Sequence, residues 1–361
     1  MGGLTQLITL VLGGDVNLQG RAHPDAAFRA LTSLLTGADV RFVNLEGPLS
    51  GSNGSNVPDI PHKPNWRHSP PEMVAALTAA EIDVVSVANN VTYPPAAAMA
   101  SLRVLDRAGI AHCGAGANLA EAHAPAILER HGSRIAFLAY TSLCWPVGQE
   151  ATADSPGVAV AGAHTSYQPD PRVLDVPGRP PRVRTTPVPA DLELLVADIR
   201  RARTEADYVV VSMHWGFAGD ELAEYQVTYA HAIVEAGADL VVGHGPHTVQ
   251  AVEVYRGSPI FYSLGNLVFD WPAMRGRHRD GLLVGCALGD RTRVELVPIR
   301  RDEDNECVPL TGADADQALH RLAGLSALRG TKVTVRDGIA TVEGLRGEPA
   351  APAVTRTAHL P

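Results

Sequence analysis

Three histidines stand at the ends of two short apolar runs: His214 in Val211-Ser-Met-His-Trp-Gly216, then His244 and His247 in Val242-Gly-His-Gly-Pro-His247. Oxygen donors occupy corresponding places earlier in the chain. Asp15 follows the first apolar run, Glu46 the second, and Asn89-Asn90 the third. Imidazole nitrogens combined with Asp, Glu and Asn oxygens suit a divalent ion of hard or borderline character. Each position alone is a weak signal, because Asp, Asn and Glu after a strand are also common turn formers and helix caps. In this order, however, five strand ends would converge, and the set points to a metal centre.

Convergence requires a particular scaffold. Residues 208–212 and 240–242 are β-branched strand text, and the intervening stretch 226–236 has helical apolar spacing. This is a βαβ unit, so both strand ends leave on the same carboxyl edge of a parallel sheet, where ligands bind. The first half alternates in the same way. Strands are predicted at 7–12, 40–45 and 83–87, helices at 26–35, 71–80 and 96–108, and further strands at 110–113 and 134–140. Later text is strand-rich (249–255, 260–263, 282–287, 293–298), which predicts a second sheet packed on the first. A helix at 314–328 and a hairpin around Asp337-Gly338 follow, and 349–361 reads as a disordered tail. The expected organisation is one α/β domain over 1–300, with 301–348 packed on it.

Two long stretches, 51–71 and 163–189, are rich in Pro, Gly and polar residues, and loops of that length tend to be functional or disordered. The first carries Asp59, His62, Lys63, Trp66, Arg67 and His68 and is expected to form a substrate-binding wall. For the second, disorder, a mobile flap and a structured role are all open.

Composition excludes other classes. A chain of 361 residues with 45% hydrophobic content buries a large core, and a net charge of −9 with no basic block argues against a nucleic-acid partner. Four scattered cysteines, with no CxxC pair, read as reduced thiols. The N-terminal apolar run is too short to span a bilayer, which leads to an expectation of a cytoplasmic enzyme with no membrane association.

Taken in order, Gly14-Asp-Val-Asn-Leu18, Asn44-Leu-Glu46, Ser86-Val-Ala-Asn-Asn90, His214-Trp-Gly216, Gly243-His-Gly-Pro-His247 and Tyr262-Ser-Leu-Gly-Asn266 resemble the CapA-type, capsule-synthesis branch of the calcineurin-like metallophosphoesterases. The resemblance covers roughly residues 7 to 300 and includes Lys63-Pro-Asn-Trp-Arg67. It implies a four-layer α/β/β/α sandwich of two packed mixed sheets, with a metal centre at the carboxyl ends of the central strands. Asp15, Glu46, Asn90, His214, His244 and His247 become the implied ligands.

Two departures from that family alter the expected chemistry. Val91 stands where the phosphoesterases carry the histidine that protonates the leaving oxygen, and Asn17 stands where the wider superfamily has a ligating histidine. A general acid contributes about 10² to 10⁴ in rate, so loss of one weakens the case for phosphoester hydrolysis. One oxygen-rich ion is then expected, with Ca²⁺ or Mn²⁺ favoured and Mg²⁺ or Zn²⁺ as further candidates.

A metal beside histidines can still support proton abstraction next to a carboxylate. The divergent pattern is similar to that of the lasso-peptide epimerases, which invert the C-terminal residue of a ribosomal precursor peptide. That resemblance implies His214 and His247 as opposed acid and base, with Asp15 and Asp220 as their carboxylate partners. It also implies that Lys63 and Arg67 clamp the peptide's terminal carboxylate. Trp66, Trp215, His68 and Asn266 complete the expected substrate surface. The alternatives are a metal-dependent phosphoesterase, with His68 or His62 replacing the lost acid, and a CapA-like role in poly-γ-glutamate assembly.

Overall fold

The computed structural model describes residues 7–19, 21–51, 63, 66–145 and 148–348. The expectations for Asp59, His62 and the tail 349–361 lie outside these residues.

The first strand, Ile8–Asn17, is the axis of a ten-stranded mixed sheet. On one side it pairs in parallel with Val40–Leu45, which is followed outward by Val84–Ser86 and Ala111–Cys113. On the other it pairs antiparallel with Asp280–Leu288, beyond which lie Arg293–Arg301 and the hairpin Val333–Arg336/Ile339–Val342. Near its carboxyl end it also pairs in parallel with Asn266–Phe269. A second, six-stranded sheet runs in the order Val252–Tyr255, Ser258–Phe261, Leu240–His244, Tyr208–His214, Ser133–Thr141, Ala126–Arg130. Its four central strands are parallel.

The core shows how the layers stack. Ile8, Leu10, Leu12 and Phe42 of the first sheet meet Phe137, Val210 and Val242 of the second in one apolar layer, where the Phe42 and Phe137 rings stack at 5.6 Å. Alternate residues of the same strands point outward, as the period of a strand requires. Val43 and Val85 pack with Leu77, Leu102 and Leu105 of the helices on one flank, and Val209 and Val211 pack with Leu195, Ile199 and Tyr229 of those on the other. The result is the expected four-layer α/β/β/α order.

Two local expectations are corrected, and one left open takes a definite form. The helix read at 26–35 is two 3₁₀ turns and a single α turn, Thr32–Leu35. Phe28 and Leu31 are three residues apart, a spacing that a three-residue turn also places on one face. The late strands do not make a second sheet of their own. Those at 252–261 join the sheet built around His214, whereas those from 280 onward extend the first. The stretch 163–189 forms an antiparallel pair, Ala163–Gln168 with Arg182–Pro187, leading into the helix Pro189–Glu205.

Candidate metal centre

The parallel strands of both sheets end at one edge and deliver their last residues to a shared point. Asp15 lies at an irregularity in the first strand, where its register with both parallel neighbours shifts. Gly14 makes that bend possible, because a Cβ there would lie 2.0 Å from the Gly265 carbonyl oxygen. Glu46 follows the second strand, and its backbone N–H donates to the Val16 carbonyl. His214 and His244 are the paired last residues of their parallel strands. Gly245, at φ +103°, then turns the chain where a Cβ would lie 3.2 Å from the His214 ring, and His247 comes back towards Asp15.

The distances define a cluster. Asp15 Oδ1 lies 3.2 Å from His244 Nδ1, and Asp15 Oδ2 lies 3.3 Å from His247 Nδ1. Glu46 Oε1 is 3.6 Å from His247 Nε2, and Glu46 Oε2 is 3.8 Å from His214 Nε2. Ligand atoms of Asp15, Glu46 and His247 all fall within 4.8 Å of one another. Asp15, Glu46, His214 and His244 are essentially inaccessible to solvent.

Whether these residues fit a divalent ion is tested by their unsatisfied atoms. Both carboxylate oxygens of Glu46, both ring nitrogens of His214 and of His244, and Asn90 Oδ1 are buried without a hydrogen bond. Buried polar atoms are almost always paired, and each unpaired one costs about 1–3 kcal/mol. Six of these atoms belong to Glu46, His214 and His244, whose carboxylate-to-imidazole separations within the cluster are 3.2–3.8 Å, and they match the donor set of a divalent ion.

Electrostatics within the cluster run the same way. Burial alone would raise the Asp15 carboxyl, but the His244 and His247 rings beside its two oxygens overcome it and hold the group well below the usual carboxylate range. Burial likewise opposes ionisation of Glu46, and the neighbouring His247, His214 and Lys63 outweigh both that and the repulsion from Asp15. His247 is raised, because Glu46 and Asp15 outweigh the desolvation of its ring.

Neighbouring amides hold this set in place. Asn44 Nδ2 donates to Asp15 Oδ1 at 2.8 Å, and Asn89 Nδ2 donates to Asn44 Oδ1 and to the Leu45 carbonyl. Asn17, standing where a histidine was expected from the wider superfamily, uses its side chain to bond the Glu46 carbonyl at 3.0 Å.

An aromatic wall borders the centre. Trp66, Val91, Phe269, Trp271 and Met274 form one buried cluster, and Trp66 and Trp271 meet edge to face at 5.4 Å. The Lys63 ammonium lies over both indoles, 5.2 and 5.1 Å from the ring centroids, and 3.7 Å from Glu46 Oε1. Lys63 and Trp66 therefore lie beside the centre, and Arg67 is exposed next to Trp66.

Several assignments are corrected. Trp215 is fully buried, stacked on Tyr262 with its indole N–H donating to the Tyr262 carbonyl, so it is a core residue. Asp220 is exposed and ion-paired with Arg321 on the surface, and is not a partner of His214 or His247. Asn266 is also fully buried. Its Oδ1 lies 2.9 Å from His247 Nδ1 and its Nδ2 donates to the His278 carbonyl, so it orients a histidine and presents nothing to a substrate. His68 is buried, and burial pushes its imidazole down to about 4 against a weaker opposing effect of the Tyr93 carbonyl. It is neutral near pH 7 and makes a poor substitute for a leaving-group acid. The residues that sequence reasoning missed are Trp271, Phe269 and Met274, whose only signal was aromatic text immediately after Asn266.

The chain has identifiable relatives. A family model described as bacterial capsule synthesis protein PGA_cap matches residues 9–271. The uncharacterized protein y4sH of Sinorhizobium fredii is 30% identical over 308 residues, which cover 73% of this chain and 66% of that protein. The capsule biosynthesis protein CapA of Bacillus anthracis is 28% identical over 324 residues, covering 85% and 70%. A probable polyglutamine synthesis accessory protein of Mycobacterium tuberculosis is 30% identical over 279 residues, covering 73% and 67%. The chain thus spans about two thirds of the length of the curated relatives it matches. Among the described residues no helix is long and apolar enough to cross a membrane.

Proposed function

Because this chain belongs to the bacterial capsule synthesis protein family PGA_cap, matched over residues 9–271, we propose that it is a metal-dependent enzyme acting on the carboxylate-bearing end of a peptide-like chain, as in polyglutamate capsule assembly. The observation that carries this reading is the pairing of an unsatisfied, buried donor set with the Lys63 ammonium at its rim. Asp15, Glu46, His214, His244 and His247, with Asn90 Oδ1, would hold the ion. A divalent cation bound there supplies a Lewis acid for a substrate carboxylate, carbonyl or phosphoryl oxygen.

The chain's own residues do the rest. Lys63 offers a fixed positive charge to an anionic substrate, and Trp66 and Trp271 hold the ammonium in place while excluding water from one side. Asn266 fixes the tautomer of His247. Its Nδ2 must donate to the His278 carbonyl, so its Oδ1 faces His247, Nδ1 there carries the proton, and Nε2 presents a lone pair towards Glu46.

The test is calorimetric titration of the Mn²⁺-supplemented protein with γ-glutamyl oligomers. Saturable binding that falls at least tenfold in Lys63→Ala is expected, and no binding with or without metal would overturn the reading.

A second reading, inversion of the terminal Cα of a ribosomal (lasso) precursor peptide, is favoured by one arrangement. His214 and His247 approach opposite oxygens of Glu46, giving two separate imidazoles, while Val91 is fully buried in the aromatic wall and offers no proton to a leaving group. Incubation with candidate precursors in D₂O should then place one deuteron at the terminal Cα. Turnover of a chromogenic phosphoester with Mn²⁺, without such exchange, would instead assign hydrolysis.

A further inference from the structure

Arg301 is the last residue of the strand Arg293–Arg301 and is completely buried. Among the described residues no carboxylate pairs with it. Its guanidinium instead converges on one surface segment, residues 269–278. Nη1 donates to the Phe269 carbonyl at 3.0 Å, and Nη2 donates to those of Met274, Arg277 and His278 at 3.2, 2.7 and 3.2 Å. Asn305 Oδ1 accepts a further bond from Nη1 at 2.7 Å. Burying a guanidinium without a counter-ion is costly, and methylene packing would fill the space more cheaply. What the charge adds is direction, since only a forked donor ties four carbonyls of one loop at once.

That segment matters because of what it carries. Phe269, Trp271 and Met274 are three of the residues in the wall beside the metal centre. At its far end His278 adopts φ +44°, a backbone conformation unfavourable for a non-glycine residue, and its carbonyl is held by both Arg301 and Asn266. Asn266 in turn fixes His247, itself at φ +59°. One buried side chain therefore braces the wall and, through the His278 carbonyl and Asn266, the orientation of His247.

We propose that Arg301 is the positioning residue of the site: its guanidinium sets the 269–278 loop, and with it the indole of Trp271 and the ring of His247. The link to metal binding rests on the function proposed above, whereas the link to the loop does not.

Two measurements separate them. In hydrogen exchange, the amides of Met274, Arg275 and Arg277, which donate within the loop, should be protected in the unmodified protein. They should exchange at least tenfold faster in Arg301→Met and in Arg301→Lys, which keeps the charge but loses the fork. Exchange in the strand Tyr208–His214 should be unchanged. Mn²⁺ affinity should fall about tenfold in both variants. Asn266→Leu should weaken Mn²⁺ similarly while leaving the Met274, Arg275 and Arg277 amides unchanged, because Asn266 bonds the His278 carbonyl and none of their acceptors, a split that a merely structural role would not produce. Unprotected loop amides in the unmodified protein, or unchanged exchange in whichever Arg301 variant folds, would overturn the proposal. Failure of the unmodified protein to bind Mn²⁺, with the exchange pattern intact, would count against the metal reading and leave the loop assignment standing.

Discussion

At the scale of single residues, the centre is a balance of buried charges between two carboxylates and three imidazoles. Asp15 is the pivot, because each of its oxygens faces a different histidine. Asp15→Asn halves that acceptor capacity and should weaken divalent-ion binding by about 100-fold, measured by competition with a chromogenic chelator. Glu46→Gln should do the same, since it replaces a carboxylate oxygen with an amide NH₂ that cannot coordinate a cation. The identities of these residues were legible in the sequence, because ligand types at strand ends have few other uses in combination. The roles of Trp215, Asp220 and Asn266 were not. A tryptophan next to a ligand reads the same whether it faces inward or outward, and only packing against Tyr262 decides that Trp215 is core.

At the scale of elements, two sheets must end their strands together for the cluster to exist. The bend at Gly14 is a sensitive point, since any side chain there collides with the Gly265 backbone, which has no rotamer to yield. Gly14→Ala should cost about 3 kcal/mol, read as a lower denaturation midpoint, and should also lower metal affinity by displacing Asp15. The βαβ unit ending in His214 and His244 was readable from its apolar runs and intervening helical spacing, and the structure places it as expected. The fate of the late strands was not readable. Period-two patterning marks a strand but carries no information on which neighbour it joins, and here the text after residue 250 is shared between both sheets.

At the scale of the molecule, distant networks couple stability to pH and to metal. Glu253 accepts from the Tyr262 hydroxyl at 2.6 Å, from Arg329 at 3.0 Å, and lies 3.0 Å from His231 Nε2. Burial opposes its ionisation, but these partners prevail and lower its pKa below the ordinary 4.5. The unfolded chain then binds the proton more readily, so this contribution is complete above about pH 4.5 and is lost as pH falls through the lower folded value. Glu253→Gln should cost about 2 kcal/mol near neutrality. The difference from the unmodified protein should shrink as melting curves are taken towards about pH 3. Metal acts in the opposite sense: a divalent ion at 100 times its dissociation constant should add about 2.7 kcal/mol, and a chelator should remove it.

The sequence by itself determined the donor types, the strands that end in them and the layered α/β class, because local periodicity and residue chemistry are written in neighbouring positions. Only the tertiary structure decided which of those residues face one another. It brought Lys63 between Trp66 and Trp271, buried Asn266 behind His247, sent Asp220 to the surface and set Arg301 beneath the 269–278 loop. Apart from Lys63 with Trp66, such contacts join positions tens to hundreds of residues apart. They are settled by how two sheets close over a common core, which no single stretch of chain encodes.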